Sequence, residues 1–363
     1  MGWSSWNHFR VNINEQLIKE QADALIASGL YEAGYRFINI DDGYFDGRSA
    51  SGQLQTDKTK FPSGMQSLVE YIHDKGLKAG IYTDAGKNTC ASRYDHNTGG
   101  IGAGIYGHVE DDCQLFFNTW KFDFLKVDWC GGEQMKLDEK TEYTKIIRAV
   151  KLIDSHIVFN ICRWQFPGTW AITEADSWRV SGDIEPTFSS ILKIIDLNKD
   201  LYSYSSAGHY NDMDMLQVGR GMTYEEDKTH FSMWCLLNSP LLAGNDLRHM
   251  TAPTREILTN KEIIALNQDS GFAQGRILFT EKNMQVWTKP LAEANGKARA
   301  IAIMNRGNED TTLNLDAQRT GIHKESSLRD LWLHQDLGKI GSGKTFTVPR
   351  HGIIVLKIVE PKG

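Results

Sequence analysis

The chain has 363 residues, more than one compact domain ordinarily holds, so a large domain and a smaller one are expected. Hydrophobic residues make up 40% and charged residues 24%, which excludes a collagen-like, coiled-coil or largely disordered chain. A formal net charge of -6 offers no basic field to a phosphate backbone, and no stretch approaches the roughly 18 to 20 apolar residues of a membrane span, so neither nucleic acid nor membrane is an expected partner.

Up to about residue 270, short apolar runs alternate with helical patterns, the signature of parallel βαβ units. Residues 14–28 form the first helix, with Ile18, Ala22, Leu25 and Gly29 at near-helical spacing and Asn12 or Asn14 as its cap. Residues 36–40 follow as a strand too apolar for a half-solvated sheet, ending in Asp41 and Asp42. The next helix carries Met65, Leu68, Val69 and Ile72 on one side and stops at Gly76. Strand 79–82 ends at Asp84, strand 122–127 at Asp128 and strand 157–161 near Arg163, while strand 178–180 leads to Asp183. Adding residues 2–4, the segment around Met213 to Leu216, and residues 240–243 gives eight units. A doubly wound sheet would gather these charged strand ends at one crevice. A closed (β/α)8 TIM barrel brings all eight to a single mouth and is the preferred reading, over residues 1–271. From residue 272 the helical pattern stops. Runs at 284–288, 299–304, 311–315, 345–348 and 353–358 predict a C-terminal antiparallel β-sandwich over residues 272–363, serving stability or carbohydrate contact.

Alternation along a strand puts Lys126 and Asp128 on one face, where the ammonium lowers the carboxylate pKa and holds it ionised as a nucleophile; the competing reading is a buried structural ion pair. Arg179, Ser181 and Asp183 share a face if their strand stays extended, offering a guanidinium for sugar hydroxyls and a second carboxylate. Two carboxylates across a barrel mouth are what glycosidic cleavage needs, although an Asp at a strand end is also a common helix cap. Asp41 and Asp42 both face a ligand only if their strand ends between them; otherwise they are a cap and a solvated charge. Trp3, Trp6, Trp129, Trp164 and Trp170 lie near the mouth, where ring faces stack on a pyranose, or in the core. His8, His73, His108 and His156 have no zinc spacing, and residues 99–104 read as a flexible glycine loop rather than a phosphate cradle, so no metal or cofactor is expected. Five cysteines leave at least one thiol free or paired between chains. Cys90 and Cys130 each lie just beyond a strand end, as a disulfide or as two buried thiols.

The chain resembles glycoside hydrolase family 27, the family of α-galactosidases and α-N-acetylgalactosaminidases, over nearly its whole length. The resemblance rests on Gly2-Trp3-Ser4-Ser5-Trp6-Asn7, Asn39-Ile40-Asp41-Asp42, Gly76-Leu77-Lys78 through Gly80-Ile81-Tyr82, Leu125-Lys126-Val127-Asp128, Trp178-Arg179 with Gly182-Asp183-Ile184, Asn211-Asp212 with Asp214-Met215-Leu216, and Asn267-Gln268-Asp269, in that order. It implies the same two-domain fold and hydrolysis with retention, with Asp128 as nucleophile and Asp183 as general acid/base. Trp6, Asp41, Asp42, Tyr82, Lys126, Arg179 and Met215 match positions lining the galactose pocket, with Asp41 and Asp42 resembling the pair that grips O4 and O6. Cys90 and Cys130 match the family's disulfide beside that pocket. Two other cysteines of many relatives are missing together, at Val11 and Gly43.

One departure bears on specificity. Many relatives read Cys-Glu-Trp after the fifth strand, the glutamate helping to recognise the sugar's position 2, whereas this chain reads Cys162-Arg163-Trp164. A donor in place of an acceptor changes what is accepted at C2 or in the aglycone. The expected activity is therefore exo-hydrolysis of terminal α-galactosyl residues from oligo- or polysaccharides. An α-N-acetylgalactosaminidase or a β-L-arabinopyranosidase with the same mechanism are the alternatives, the latter disfavoured by the retained Asp41 and Asp42. A catalytically silent carbohydrate-binding protein, which is expected to lack one catalytic carboxylate, is the alternative of another class, and a barrel hydrolase using the Asp cluster for a metal a further one. The implied disulfide and substrate predict an extracytoplasmic site, with an export signal upstream of the family motif that opens the chain.

Overall fold

The computed structural model describes residues 1–292 and 298–361. It divides into two compact units, Met1–Gly182 with Leu242–Met250, and Asp183–Leu241 with Thr251–Gly363.

The barrel strands are β1 (Gly2–Ser4), β2 (Phe37–Asn39), β3 (Lys78–Asp84), β4 (Phe124–Asp128), β5 (Val158–Ile161), β6 (Ser177–Arg179), β7 (Tyr210–Asp212) and β8 (Leu242–Ala243). Within the first unit every neighbouring pair from β1 to β6 is parallel and in sequence order. The last strand, β8, pairs in parallel with β1, Gly2 opposite Leu242 and Trp3 opposite Ala243. A doubly wound sheet leaves its edges open, whereas joining the last strand to the first closes a barrel. The fold is a (β/α)8 barrel followed by an antiparallel β-sandwich.

Local sequence explains the elements. Asn14 caps the helix Glu15–Ala27, accepting the Leu17 N–H at 2.8 Å, a cap whose loss costs about 1 kcal/mol. That helix buries Leu17, Ile18, Ala22 and Leu25. The helix Gly64–Asp74 buries Met65, Leu68, Val69 and Ile72, each contributing roughly 1.5–3 kcal/mol of transfer free energy. It stops where Gly76 takes a φ of 72°, the left-handed turn that only glycine adopts without cost.

Two strands differ from expectation. β6 ends at Arg179, and Ser181 and Gly182 form a bend, so Arg179 and Asp183 do not share one strand face. β7 ends at Asp212, immediately before the segment Met213–Leu216, which is buried outside the named strands with Asp214 at φ 77°. Residues 99–104 are also not a loose loop. Arg48 donates to the carbonyls of Gly102 at 3.0 Å and Gly104 at 2.8 Å while bound to Asp112.

In the second unit the sandwich strands are β9 (Arg276–Glu281), β10 (Met284–Leu291), β11 (Ala298–Asn305), β12 (Thr311–Asp316), β13 (Ser327–Asp330), β14 (Gln335–Lys339), β15 (Gly343–Val348) and β16 (Ile353–Val359). Six form one sheet in the order β9-β10-β11-β16-β13-β14, and β12 pairs with β15. Val286, Ile301, Ile303, Leu313, Leu315 and Leu356 lie in their shared core. β9, β13 and β14 were not expected. β14 is mostly exposed and polar, β9 carries an unbroken apolar run rather than an alternating one, and β13, which buries Leu328 and Asp330, has only four residues.

No helix among the described residues is long and apolar enough to cross a membrane.

Candidate active site

β2 ends at Asn39, so neither Asp41 nor Asp42 is bound by strand alternation and both lie buried in the loop beyond it. The Asp41 N–H donates to Ser5 Oγ at 2.9 Å, and Asp41 Oδ1 accepts the Asp42 N–H at 2.9 Å. Asp41 Oδ2 takes the Lys126 ammonium at 2.8 Å. Asp42 Oδ1 accepts the Gly43 N–H at 2.7 Å, and its Oδ2 the Ala91 N–H at 2.9 Å. Burial pushes the Asp42 pKa up to about 7 against those hydrogen bonds. The adjacent carboxyls therefore differ, one salt-bridged and one buried among amides.

Lys126 lies opposite Tyr82 in the β3–β4 register, and Asp128 opposite Asp84. Lys126 also pairs with a carboxylate from another loop: its ammonium forms an ion pair with Asp41. Burial alone would lower the Lys126 pKa, but the charges of Asp41 and Asp128 outweigh it and raise the pKa well above the usual range. The ammonium thus stays charged between two loops' carboxylates, 5.4 Å from the centre of the Tyr82 ring. Tyr82 is itself buried, and its hydroxyl accepts the Cys90 N–H at 3.3 Å.

Cys90 and Cys130 form a disulfide, closing the loop after β3 onto the loop after β4. Cys113, Cys162 and Cys235 are buried and lie outside the disulfide. Trp6 is half-buried under the Arg10 guanidinium, 4.8 Å from the ring centre. Arg179 is buried and donates to the Ser181 carbonyl at 3.1 Å and toward Cys162 Sγ at 3.5 Å. The half-buried Arg163 is held by its Nε at 2.7 Å from Glu139 Oε2, with the guanidinium 6.0 Å from the Trp164 ring centre. Trp164 itself sits at φ 60°, a turn that sets the direction of the loop after β5.

The other two expected site residues lie in the second unit. Asp183 is exposed and Met215 is 5% exposed. They are linked through Asp214, whose Oδ1 accepts the Met215 N–H at 2.7 Å and whose Oδ2 accepts the Ile184 N–H at 2.9 Å. Asp214, Asp84 and Glu139 were not singled out from the sequence as site residues. Asp214 lies within the Asp214-Met215-Leu216 motif and Asp84 at a strand end, whereas nothing in the sequence marks Glu139.

A family model described as alpha galactosidase A matches residues 1–269, and one described as the alpha galactosidase C-terminal beta sandwich domain matches residues 281–358. Alpha-galactosidase A of Cellvibrio japonicus is 38% identical over 382 residues, covering 99% of this chain and 91% of that protein. This chain belongs to the α-galactosidase family, glycoside hydrolase family 27. Alpha-galactosidase 2 of Arabidopsis thaliana, a further member, is 42% identical over 340 residues, covering 92% of this chain and 82% of that protein. Among solved structures of the family, alpha-galactosidase I from Mortierella vinacea matches with a TM-score of 0.91 and 31% identity, covering 100% of this chain and 97% of that one. The chain is accordingly a glycoside hydrolase of the family's two-domain form.

Proposed function

We propose that the protein is a retaining exo-α-galactosidase in which Asp128 is the nucleophile and Asp183 the general acid/base. The observation that carries this reading is Lys126, a cation held charged between Asp41 and Asp128 at the end of β4. An ammonium there favours ionised Asp128, the state a nucleophile needs. Asp183 protonates the leaving glycosidic oxygen as Asp128 attacks the anomeric carbon, forming a covalent glycosyl ester and breaking the glycosidic bond. Water, deprotonated by Asp183, then cleaves that ester and restores both carboxyls.

Galactose is the sugar we assign, gripped at O4 and O6 by Asp41 and Asp42 and bordered by Trp6, Tyr82, Arg179, Met215 and the Cys90–Cys130 bridge. The names of the curated relatives support that sugar. With Arg163 anchored on Glu139, its guanidinium is directed by a protein partner, which is compatible with a free 2-hydroxyl on the substrate. Substrates are terminal α-galactosides of oligo- or polysaccharides. We assign chemistry to residues 1–271 and the sandwich role to 272–363, a division supported by the family matches at 1–269 and 281–358. An extracytoplasmic site is supported by the disulfide.

The test is kcat/KM on the p-nitrophenyl glycosides of α-galactose, α-N-acetylgalactosamine and β-L-arabinopyranose, with Asp128→Asn as blank. Preference for α-galactose that vanishes in the variant is expected. Preference for another of the three sugars keeps the mechanism and moves the specificity, while turnover of none ends the exo-galactosidase reading.

A further inference from the structure

Asp84 closes β3 and is fully buried, directly opposite Asp128 in the strand register. The next residue, Ala85, donates its N–H to the Asp128 carbonyl at 2.9 Å. Asp84 Oδ1 accepts two backbone donors, Gly86 N–H at 2.7 Å from its own turn and Gly131 N–H at 2.9 Å from the turn that leaves Asp128. Those turns touch backbone to backbone. A Cβ on Gly86 would stand 2.0 Å from the Gly131 carbonyl carbon, and one on Gly131 would stand 2.8 Å from Asp84 Oδ1. Glycine at both positions is what lets one carboxyl oxygen reach both amides.

We propose that Asp84 is a positioning residue for Asp128, its carboxyl fixing the turn after β4 and with it the place from which Asp128 attacks. The inference rests on Asp128 being the nucleophile. Asp84 Oδ2 lies 3.8 Å from Cys90 Sγ, but that sulfur is bonded to Cys130 and has no proton to give, so the contact is packing. Nor are the three groups a metal site while the two sulfurs are bonded to each other.

Burial raises the Asp84 pKa to about 8, the charges of Asp128 and Asp42 adding to the rise and the Gly86 and Gly131 amides opposing it. The remaining titratable neighbours, Tyr82 and Tyr143, are buried and held neutral. At neutral pH Asp84 is therefore chiefly a neutral acid, whose acceptor oxygen an amide reproduces. The disulfide holds the two turns together independently, so loss of the carboxyl displaces Asp128 locally rather than opening the loops.

The experiment follows the rate at which a fluorinated galactosyl fluoride accumulates the covalent glycosyl-enzyme, with the labelled peptide located by mass spectrometry. Wild type, Asp84→Asn, Asp84→Ala and Asp84→Glu are compared at matched folding by thermal melt. Asp84→Ala is expected to slow trapping on the order of 100-fold, with the reagent's dissociation constant little changed, because a small misplacement of a reacting group costs that much. Asp84→Glu, whose extra methylene moves the acceptor oxygen, is expected to slow it too and decides the matter should the alanine variant not fold. Asp84→Asn is expected to trap at close to the wild-type rate. Trapping at the wild-type rate in the alanine or glutamate variant overturns the inference, as does an asparagine variant as slow as alanine. If the wild-type label lies on a residue other than Asp128, the functional reading itself fails, a result distinct from any Asp84 outcome.

Discussion

The Lys126 ammonium sits 2.8 Å from Asp41 Oδ2, so the strand that ends in Asp128 is keyed to the loop that carries Asp41 and Asp42. Asp41 is 3% exposed, which makes the pair costly to break from either side. Lys126→Met, apolar and of similar length, leaves a buried carboxylate without its cation. A loss of about 3–5 kcal/mol in urea unfolding is expected, together with a fall in kcat/KM. A variant that unfolds at the wild-type midpoint would show the pair to be energetically idle.

The disulfide between Cys90 and Cys130 spans 40 residues. Restricting an unfolded loop of that size stabilises the folded chain by about 4 kcal/mol in the chain-entropy treatment. The double variant Cys90→Ser, Cys130→Ser is expected to unfold at lower denaturant by that order, and added reductant should then have no further effect on it. Equal midpoints for the variant and the oxidised protein would contradict the assignment of that stability to the bridge.

Asp227, in the second unit, is buried with Oδ2 on the Gly219 N–H at 2.9 Å, and burial raises its pKa to about 7. Asp42 and Asp84 are raised likewise, to about 7 and about 8. Between the unfolded carboxyl pKa near 4 and these folded values, the folded chain binds more protons than the unfolded one. Stability therefore falls as pH rises from about 4 to about 8. Asp227→Asn removes one of these protonations away from the proposed chemistry and should flatten the slope of unfolding free energy against pH. An unchanged slope would mean that Asp227 is ionised throughout that range.

Leu68 is wholly buried on the inner side of the helix Gly64–Asp74. Leu68→Ala is expected to cost about 2–5 kcal/mol, transfer and cavity together, while kcat per folded molecule is retained. Calorimetry alongside active-site titration separates the two quantities, and a variant as stable as wild type would show that this helix can collapse onto the gap.

Much of this was legible in the sequence because barrel strands buried on both faces carry few charged residues away from their ends, Lys126 in β4 being an exception. Asp41, Asp42, Asp84, Asp128 and Arg163 all stand out by that contrast. What stayed hidden depends on pairing at long range. Arg163 meets Glu139 across 24 positions, and a salt bridge of Lys126 crosses 85 to Asp41. No periodicity encodes either. β7 falls just before the segment around Met213 to Leu216 because the left-handed Asp214 interrupts an extended chain there, and nothing in the sequence marks that conformation. β14 escaped because an exposed, polar strand lacks the apolar alternation that reveals one, and β13 because its four residues, with a buried Asp330, are too few to show it.

Val11 and Gly43, where the family resemblance leads one to expect a cysteine pair, lie close together: a Cβ on Gly43 would lie 2.8 Å from Val11 Cα. Gly43 also holds φ at 112°, outside what an L side chain ordinarily adopts. The backbone at Gly43 thus holds a shape open only to glycine. Introducing that pair by two substitutions would force that loop to move, and the loop carries the carboxyl of Asp42 on the Gly43 amide. The loop is in this sense closed to a new crosslink at these two positions, and a designer seeking a sturdier enzyme would do better to look elsewhere for a staple.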